Sequence, residues 1–240
     1  MVRTTPANAA PTIDRVTPNS VLPAPTYRPT TAHRHGGRYL AAAFACLIAL
    51  GVTCLVFVWT PGGQTFDGEL LPMSDQGAGY EQDTVLLQPA KEVLAFFGDP
   101  MVLGVLLLAA VLVSRRLWTS VAAVGVVLGS VAAARVLKEV VVRPDLGVYG
   151  SSTHNSFPSG HVAIATGLLL AFMLVLPPKA RWWFFVPGAV GVVIIAAATM
   201  ITGWHRLSDV IGGVLVATVL YCLAAAALAD ETGARRPARP

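Results

Sequence analysis

Six long apolar runs constrain this chain more than any other feature of its sequence. A helix that crosses a hydrocarbon core of about 30 Å needs about 20 mostly apolar residues, and each run approaches or meets that length. The runs are continuously apolar rather than alternating, and they are rich in Ala, Leu and Gly, as helix contacts in lipid require. They cover residues 39–60, 93–114, 117–137, 161–176, 182–201 and 210–229. The sequence therefore predicts an all-α, six-span transmembrane helical bundle.

Two of these runs deviate from a simple span. Gly98-Asp99-Pro100 interrupts the second run, and it can supply the N-cap and first turn of a shorter helix. The fourth run is short unless Ser159 and Gly160 form its first turn.

The apolar runs divide the chain into a membrane domain and two tails. Residues 1–37 contain no apolar core and are rich in Pro, so we expect a disordered cytoplasmic tail without a cleavable signal peptide. We expect residues 38–229 to form the membrane domain and residues 230–240 a short basic cytoplasmic tail. The longest connection, 61–91, is acidic and extracytoplasmic in this scheme. A solvated loop is the simpler interpretation, and a flap that screens substrates by charge is the alternative.

The basic residues indicate the orientation in the membrane. With the N-terminus inside, 17 Lys and Arg residues divide into twelve on the cytoplasmic face and five on the other. The five are Lys91, Arg135, Lys138, Arg143 and Arg206. We therefore expect a multi-pass protein of the plasma or inner membrane with both termini cytoplasmic and the active site extracytoplasmic. The net charge of +4 is dispersed over tails and short loops, so nucleic-acid binding is not expected.

His205 and Asp209 are spaced by four residues at a predicted helix start, so their side chains share one face. Asp209 can bond one imidazole nitrogen, fix the tautomer and leave the other nitrogen basic. A histidine oriented in this way is a good nucleophile toward phosphorus. The alternative is an interfacial histidine capped by a nearby carboxylate.

Ser159, Gly160 and His161 also stand at a predicted helix start. Helix N-termini present unpaired N–H groups and partial positive charge, and glycine lets an anion approach the backbone closely. Ser159 can donate its hydroxyl to the same anion, and His161 can act as general acid. The alternative is a serine N-cap followed by a structural histidine.

Three cations follow one another at the end of the third run, namely Arg135, Lys138 and Arg143. Charged residues in or beside a span suggest function, although long side chains can also reach the interface without a role. Together they favour an anionic substrate, and the Arg143 guanidinium can match two phosphate oxygens. His154 is expected to be an ordinary loop residue. Since no carboxylate or thiolate cluster typical of a metal site is apparent, we expect no metal and no other cofactor.

Three motifs between Lys138 and Asp209 resemble the type 2 phosphatidic acid phosphatase family, the membrane lipid phosphatase branch of the vanadium haloperoxidase-like fold. Pro158-Ser159-Gly160-His161 matches the second motif fully, and the third motif matches at His205 and Asp209. The resemblance implies that His205 is the nucleophile, Asp209 its orienting carboxylate and His161 the general acid. It also implies that Ser159 and the Gly160 amide bind phosphate.

The chain departs from the family pattern in two motifs. Ala198-Thr199 stands where the family has Ser-Arg, so one phosphate-binding arginine is missing. Lys138 and Arg143-Pro144 are separated by four residues instead of six, which on a helix puts the two cations about 140° apart. The backbone must therefore leave the helix before Arg143 if both are to reach one phosphate. We hypothesise that Arg135 substitutes for Lys138 and that Arg206 replaces the charge lost at Thr199.

These features predict an integral membrane phosphatase for a lipid phosphate or diphosphate, of the polyprenyl diphosphate or phosphatidate type. Hydrolysis would proceed through a phosphohistidine, and the partners would be the lipid phosphate and the bilayer itself. Two alternatives stay open: a lipid phosphotransferase with the same two histidines, and a non-catalytic binder or carrier of lipid phosphates.

Overall fold

The computed structural model describes residues 31–71 and 83–234, and the side chains of 36–71 and 83–229. Regular structure in these ranges is helical throughout, so the predicted all-α class is confirmed for them. The helices are α1 (Thr31–Trp59), α2 (Pro61–Glu69), α3 (Leu87–Gly98), α4 (Pro100–Val113), α5 (Leu117–Val140), α6 (Gly160–Val175), α7 (Pro178–Ile201) and α8 (Leu207–Ala234). Helix α1 begins inside the predicted N-terminal tail and α8 continues into the predicted C-terminal tail. The rest of each predicted tail lies outside the described residues.

The predicted count of six spans is not confirmed. In the described ranges, four segments are long and apolar enough to cross a membrane. They are Gly36–Trp59, Leu117–Val140, Pro178–Ile201 and Leu207–Ala229. Helices α3 and α4 form a pair bent by 53°, which makes five if the pair is one broken span. Helix α6, with 16 residues, is apolar but shorter.

Both predicted irregularities are present at the expected residues. The Asp99 side chain accepts hydrogen bonds from the N–H groups of Met101 at 2.6 Å and Val102 at 3.4 Å, and Pro100 occupies the first position of α4. This N-cap breaks the second run because the backbone at Asp99 is extended. The fourth run begins at Gly160, and the Ser159 hydroxyl caps it by accepting from Val162 N–H at 3.4 Å.

The starts of α6 and α8 lie side by side. Ser159 N–H donates to the carbonyl of Asp209 at 2.8 Å. A Cβ atom at Gly213 would lie 2.7 Å from the carbonyl oxygen of Ser159, so only glycine permits this approach. The two predicted helix starts that carry histidines therefore meet.

The connection predicted to be a solvated loop contains α2, and that prediction is wrong for residues 61–69. Helix α2 follows α1 directly, with Thr60 as its N-cap and Pro61 in the first position. Its inner face carries Gln64 and Asp67, both 0% exposed. Glycines let this helix approach its neighbours closely: a Cβ atom at Gly68 would lie 2.8 Å from the Cα of Gly150. Residues 72–82 of the connection lie outside the described residues.

Candidate active site

The two histidines singled out by the sequence line one cavity of about 240 Å³. Gly160, Lys138 and Arg135 belong to the same wall, together with the apolar side chains of Val131, Ala134 and Ile164. Two imidazoles, two cations and a helix N-terminus therefore surround a small space.

His205 is held in place by the end of α7. The N–H groups of Trp204 and His205 both donate to the carbonyl of Thr199 at 3.1 Å. The Thr199 hydroxyl donates to the carbonyl of Ala196 at 2.8 Å. Position 199, where the resembled family has an arginine, therefore shapes the turn before α8 and brings no charge to it.

Asp209 lies under His205 with its side chain completely buried. Its Oδ2 is 3.5 Å from Nδ1 of His205, and it accepts hydrogen bonds from the Ser156 hydroxyl at 2.5 Å and from Arg206 N–H at 2.8 Å. Among the described residues, neither Nδ1 of His205 nor Oδ1 of Asp209 has a hydrogen-bond partner. The predicted i,i+4 pair is thus a close contact, slightly longer than an ordinary hydrogen bond.

His161 stands in the first turn of α6, between a tryptophan and the break of the bent helix pair. Its ring lies 5.8 Å from the ring of Trp204, at an angle of 38°. A Cβ atom at Gly98 would lie 3.7 Å from Nε2 of His161. The bend after Gly98 therefore brings the end of α3 next to this imidazole.

The three cations at the end of the third apolar run are divided between the cavity and the protein interior. Arg135 and Lys138 lie on the last turns of α5 and line the cavity. Helix α5 ends at Val140, so the backbone leaves the helix before Arg143, which was the condition for Lys138 and Arg143 to reach one phosphate. Arg143 is 2% exposed, and its Nη2 donates to the carbonyl of Phe57 at 3.5 Å.

Arg143 lies in the interior with part of its hydrogen-bonding capacity unused. Its Nε and Nη1 have no partner within the described part of the chain. Burial lowers the pKa of Arg143, while the nearby carboxylates of Asp209 and Asp67 oppose that shift. Neither Arg143 nor Ser159 is part of the cavity wall.

Arg206 is fully buried and faces the loop before α6 rather than the cavity. It donates from Nη2 to the carbonyl of Gly150 at 3.0 Å and to the Ser152 hydroxyl at 3.1 Å, and from Nη1 to the Ser156 hydroxyl at 3.4 Å. Burial and the neighbouring Arg143 lower the pKa of Arg206 to about 10, so it stays protonated at neutral pH. The geometry does not bring Arg206 to the cavity as a replacement for the missing arginine.

Sequence reasoning missed two residues that contact this site. Ser156 is 2% exposed and links Arg206 to Asp209 through its hydroxyl. Asp67 accepts hydrogen bonds from both the N–H and the hydroxyl of Ser208, directly before Asp209. Their partners are far away in the chain, so no local pattern signals either residue. His154 is exposed, in agreement with its prediction as a loop residue.

A second and larger cavity, which we call the apolar groove, begins one turn below His161. Its volume is about 590 Å³, and α3, α4, α6 and α7 line it. On α6 the lining runs from Ala165 to Phe172, a distance of about 10 Å along the helix. Phe97, which precedes Gly98 beside His161, lines the near end. The side chains are apolar except for Glu92.

Comparisons with known proteins agree with the motifs. No curated protein matches the chain. A crystal structure described as the first transmembrane PAP2 type phosphatidylglycerolphosphate phosphatase from Bacillus subtilis shares 18% identity with a TM-score of 0.58. The match covers 82% of this chain and 98% of that chain, and at this identity it shows a similar fold. The sequence model of the PAP2 superfamily matches residues 139–232, which contain both histidines and Asp209, and the resemblance predicted from the motifs is therefore confirmed.

Proposed function

We propose that this protein is an integral membrane phosphatase that hydrolyses a phosphomonoester or diphosphate on a lipid, of the polyprenyl diphosphate or phosphatidate type. The observation that carries the proposal is the cavity of about 240 Å³ shared by His161 and His205, with Lys138 and Arg135 on its wall. Cations and helix N–H groups around a small space suit a phosphoryl group, and paired imidazoles suit its transfer. The similarity to the PAP2 superfamily supports the same chemistry.

In the first step, Nε2 of His205 attacks phosphorus while protonated His161 gives its proton to the leaving oxygen. The P–O bond to the lipid breaks, a P–N bond to His205 forms, and the lipid product departs. The Asp209 carboxylate, 3.5 Å from Nδ1 of His205, stabilises the positive charge that the ring gains.

In the second step, neutral His161 takes a proton from water, whose oxygen attacks phosphorus. The P–N bond breaks, phosphate is released and His205 returns to its neutral form. Lys138, Arg135 and the Gly160 amide stabilise the charge on the transferring group. Ser159 and Arg143 lie outside the cavity wall, so we assign Ser159 the capping of α6 and Arg143 a buried positive charge behind the wall rather than a direct phosphate contact.

The apolar groove supports a lipid as the substrate. It begins beside His161 and continues along α6 within the apolar part of the bundle. A phosphate bound between the histidines would leave an attached hydrocarbon chain at the near end of the groove. We therefore assign the groove to the lipid tail.

We place the active site on the extracytoplasmic face. Lys138 and His161 lie at one end of α5 and α6, while Arg116 and Lys179 lie at the opposite ends of α5 and α7. If the basic ends are cytoplasmic, the cavity opens outside. An Asp145→Cys variant without the native cysteines should react with an impermeant maleimide in intact cells, and labelling only after lysis would contradict the placement.

The function is tested by measuring phosphate release from a panel of lipid phosphates by the purified protein in detergent. We expect turnover that falls by at least about 10²-fold in His205→Ala and His161→Ala. A protein that binds a lipid phosphate without turnover would instead be a binder or carrier. Transfer of phosphate to an added alcohol without free phosphate would identify a phosphotransferase.

A further inference from the structure

Helix α2 carries a buried carboxylate that the proposed chemistry does not use. Asp67 is 0% exposed, and both of its oxygens accept hydrogen bonds from one residue, Ser208. Oδ1 accepts from the Ser208 N–H at 3.0 Å, and Oδ2 accepts from the Ser208 hydroxyl. Ser208 stands between His205 and Asp209 in the chain, so Asp67 contacts the segment that carries the proposed nucleophile.

This contact completes the first turn of α8. The first N–H groups of a helix have no partner within the helix, and α8 begins at Leu207. Asp67 accepts from the N–H of Ser208, while Asp209 accepts from the N–H of Arg206 at 2.8 Å. A carboxylate at this end also complements the helix dipole. The turn is therefore held from inside by Asp209 and from α2 by Asp67.

The position of Asp67 is itself fixed by contacts of α2 with other parts of the fold. Gln64 Nε2 donates to the carbonyl of Val58 at 2.7 Å and to the carbonyl of Pro144, directly after Arg143, at 2.9 Å. On the other side of Asp67, the backbone of Gly68 packs closely against Gly150. Helix α2 is thus held between the end of α1, Pro144 and the loop before α6.

Two other roles for Asp67 fit the geometry less well. Asp67 is not part of the cavity wall, so it is not placed to contact the substrate. Balancing the buried charges of Arg143 and Arg206 would favour direct pairing with a guanidinium. Instead, both oxygens hydrogen-bond to Ser208.

We propose that Asp67 is a positioning residue that acts through Ser208 to hold His205 and Asp209 in their reactive geometry. The inference rests on the proposed phosphatase function, because its effect is read in turnover. Displacing a reacting group by about 1 Å can reduce a rate by about 10²-fold, so loss of this support should lower kcat more than it changes KM.

The test compares Asp67→Ala, Asp67→Asn and Ser208→Ala in the full chain, purified in detergent and assayed with a lipid phosphate. We expect Asp67→Ala to lower kcat at least about tenfold with KM within about twofold. Asp67→Asn should stay within about threefold of wild type, because its amide can accept from the N–H and donate to the hydroxyl of Ser208. Ser208→Ala should lower kcat about threefold, and combined with Asp67→Ala it should add nothing further.

Ser130→Ala is the matched control for Ser208→Ala. Ser130 is 0% exposed and Ser208 1%, but the Ser130 hydroxyl donates within α5, to the carbonyl of Val126 at 2.6 Å. Its kcat should equal that of wild type. Wild-type kcat in Asp67→Ala, or a loss confined to KM, would overturn the positioning role.

The turnover of Ser208→Ala and of wild type supplies two further tests. If Asp67→Ala does not fold, the positioning role is tested with Ser208→Ala. A kcat of Ser208→Ala equal to that of Ser130→Ala would overturn the inference. A wild-type protein without turnover would contradict the proposed function itself, whereas equal turnover in wild type and Asp67→Ala contradicts only the role of Asp67.

Discussion

At the residue scale, one carboxylate oxygen of Asp209 contacts three groups of the site. Oδ2 of Asp209 faces Nδ1 of His205 and accepts from Ser156 and from the Arg206 backbone. The negative charge is therefore fixed on the side of His205 that faces away from phosphorus in the proposed mechanism. An imidazole that becomes positive during the reaction gains from this arrangement.

Asp209→Asn removes that charge with little change in volume. We expect kcat for a lipid phosphate to fall by about 10²-fold or more, because the carboxylate that faces Nδ1 of His205 at 3.5 Å is lost. Ser156→Ala, which removes one donor and leaves the carboxylate, should lower kcat by less than about tenfold. The assay is phosphate release at saturating substrate, with thermal unfolding in detergent as the folding control. An Asp209→Asn enzyme as fast as wild type would refute the assigned role.

Local spacing predicted the residues whose partners are near in the chain. His205 and Asp209 are in contact, as their i,i+4 spacing predicted, although α8 begins only at Leu207, and Ser159 caps the helix that it precedes. Ser156 and Asp67 were not predictable, because their partners lie 53 and 141 residues away. The charge of Arg206 was visible in the sequence, but the direction of its side chain was not. Only the fold shows that this guanidinium binds the loop at Gly150.

At the element scale, α2 and the loop before α6 meet through two glycines. Gly150 has a φ of +71°, and a Cβ atom there would lie 2.5 Å from the Cα of Gly68. The same loop residue accepts the hydrogen bond from Arg206 at 3.0 Å. This joint therefore connects α2 to the start of α8.

Gly150→Ala should lower the thermal unfolding midpoint more than Gly147→Ala. Gly147 has a φ of +66° but nothing within 4 Å of an added Cβ, so Gly147→Ala measures the backbone strain alone, about 1–2 kcal/mol. Gly150→Ala adds a backbone clash, for which overpacking adds about 1–3 kcal/mol. The comparison uses thermal unfolding of both variants in one detergent. Equal midpoints would show that α2 does not press against the loop.

Helix α2 also gives the protein a pH-sensitive group. Burial raises the pKa of Asp67 above 3.8, although its hydrogen bonds with Ser208 oppose the shift. The folded state therefore binds the proton of the Asp67 carboxyl group more tightly than the unfolded state does. The resulting stabilisation is complete below pH 3.8 and is lost as the pH rises through the folded pKa.

Asp67→Asn should therefore be most stable relative to wild type at neutral pH. As the pH falls from about 7 toward about 4, the stability of wild type should rise relative to that of the variant, because only the Asp67 carboxylate of wild type takes up a proton. Thermal unfolding of both proteins across this range measures the difference. If acidification instead lowers the stability of wild type relative to Asp67→Asn, the pKa of Asp67 is not raised in the folded protein.

The sequence of α2 predicted a solvated loop, because its composition is typical of a turn. Residues 61–69 contain Pro61, three glycines and two acidic residues, which together are typical of a solvated connection. Buried partners outside the segment make it a helix. By contrast, the start of α6 was predictable, because its cap and its apolar run are both local.

At the scale of the whole molecule, apolar length in the sequence predicted six spans, and four described segments, or five with the bent pair, are long and apolar enough to cross a membrane. The second run bends by 53° at Asp99, and composition does not measure bends. Helix α6 has only 16 residues, and much of its surface is buried against neighbouring helices rather than exposed. The sequence could predict the apolar elements, but not the bend between α3 and α4 or the length at which α6 ends.

The same packing leaves the apolar groove open. Binding of a lipid tail there can be tested by a substitution on α7, which lines the groove. Gly191 lines the groove, and a Cβ atom there would have nothing within 4 Å. Gly191→Leu should fill the space and raise KM for a long-chain lipid phosphate about tenfold, because each methylene in an apolar pocket contributes about 1–3 kcal/mol. A short-chain phosphate should be affected much less, since its tail ends before Gly191.

Gly125→Leu is the matched control for this variant. Gly125 also has nothing within 4 Å of an added Cβ, but it is exposed on α5 and does not line the groove. Its KM for both substrates should equal that of wild type. Steady-state phosphate release in lipid nanodiscs gives both constants for each chain length. Equal KM values for Gly191→Leu and Gly125→Leu with the long chain would show that the tail lies elsewhere, because a filled groove must exclude whatever it binds.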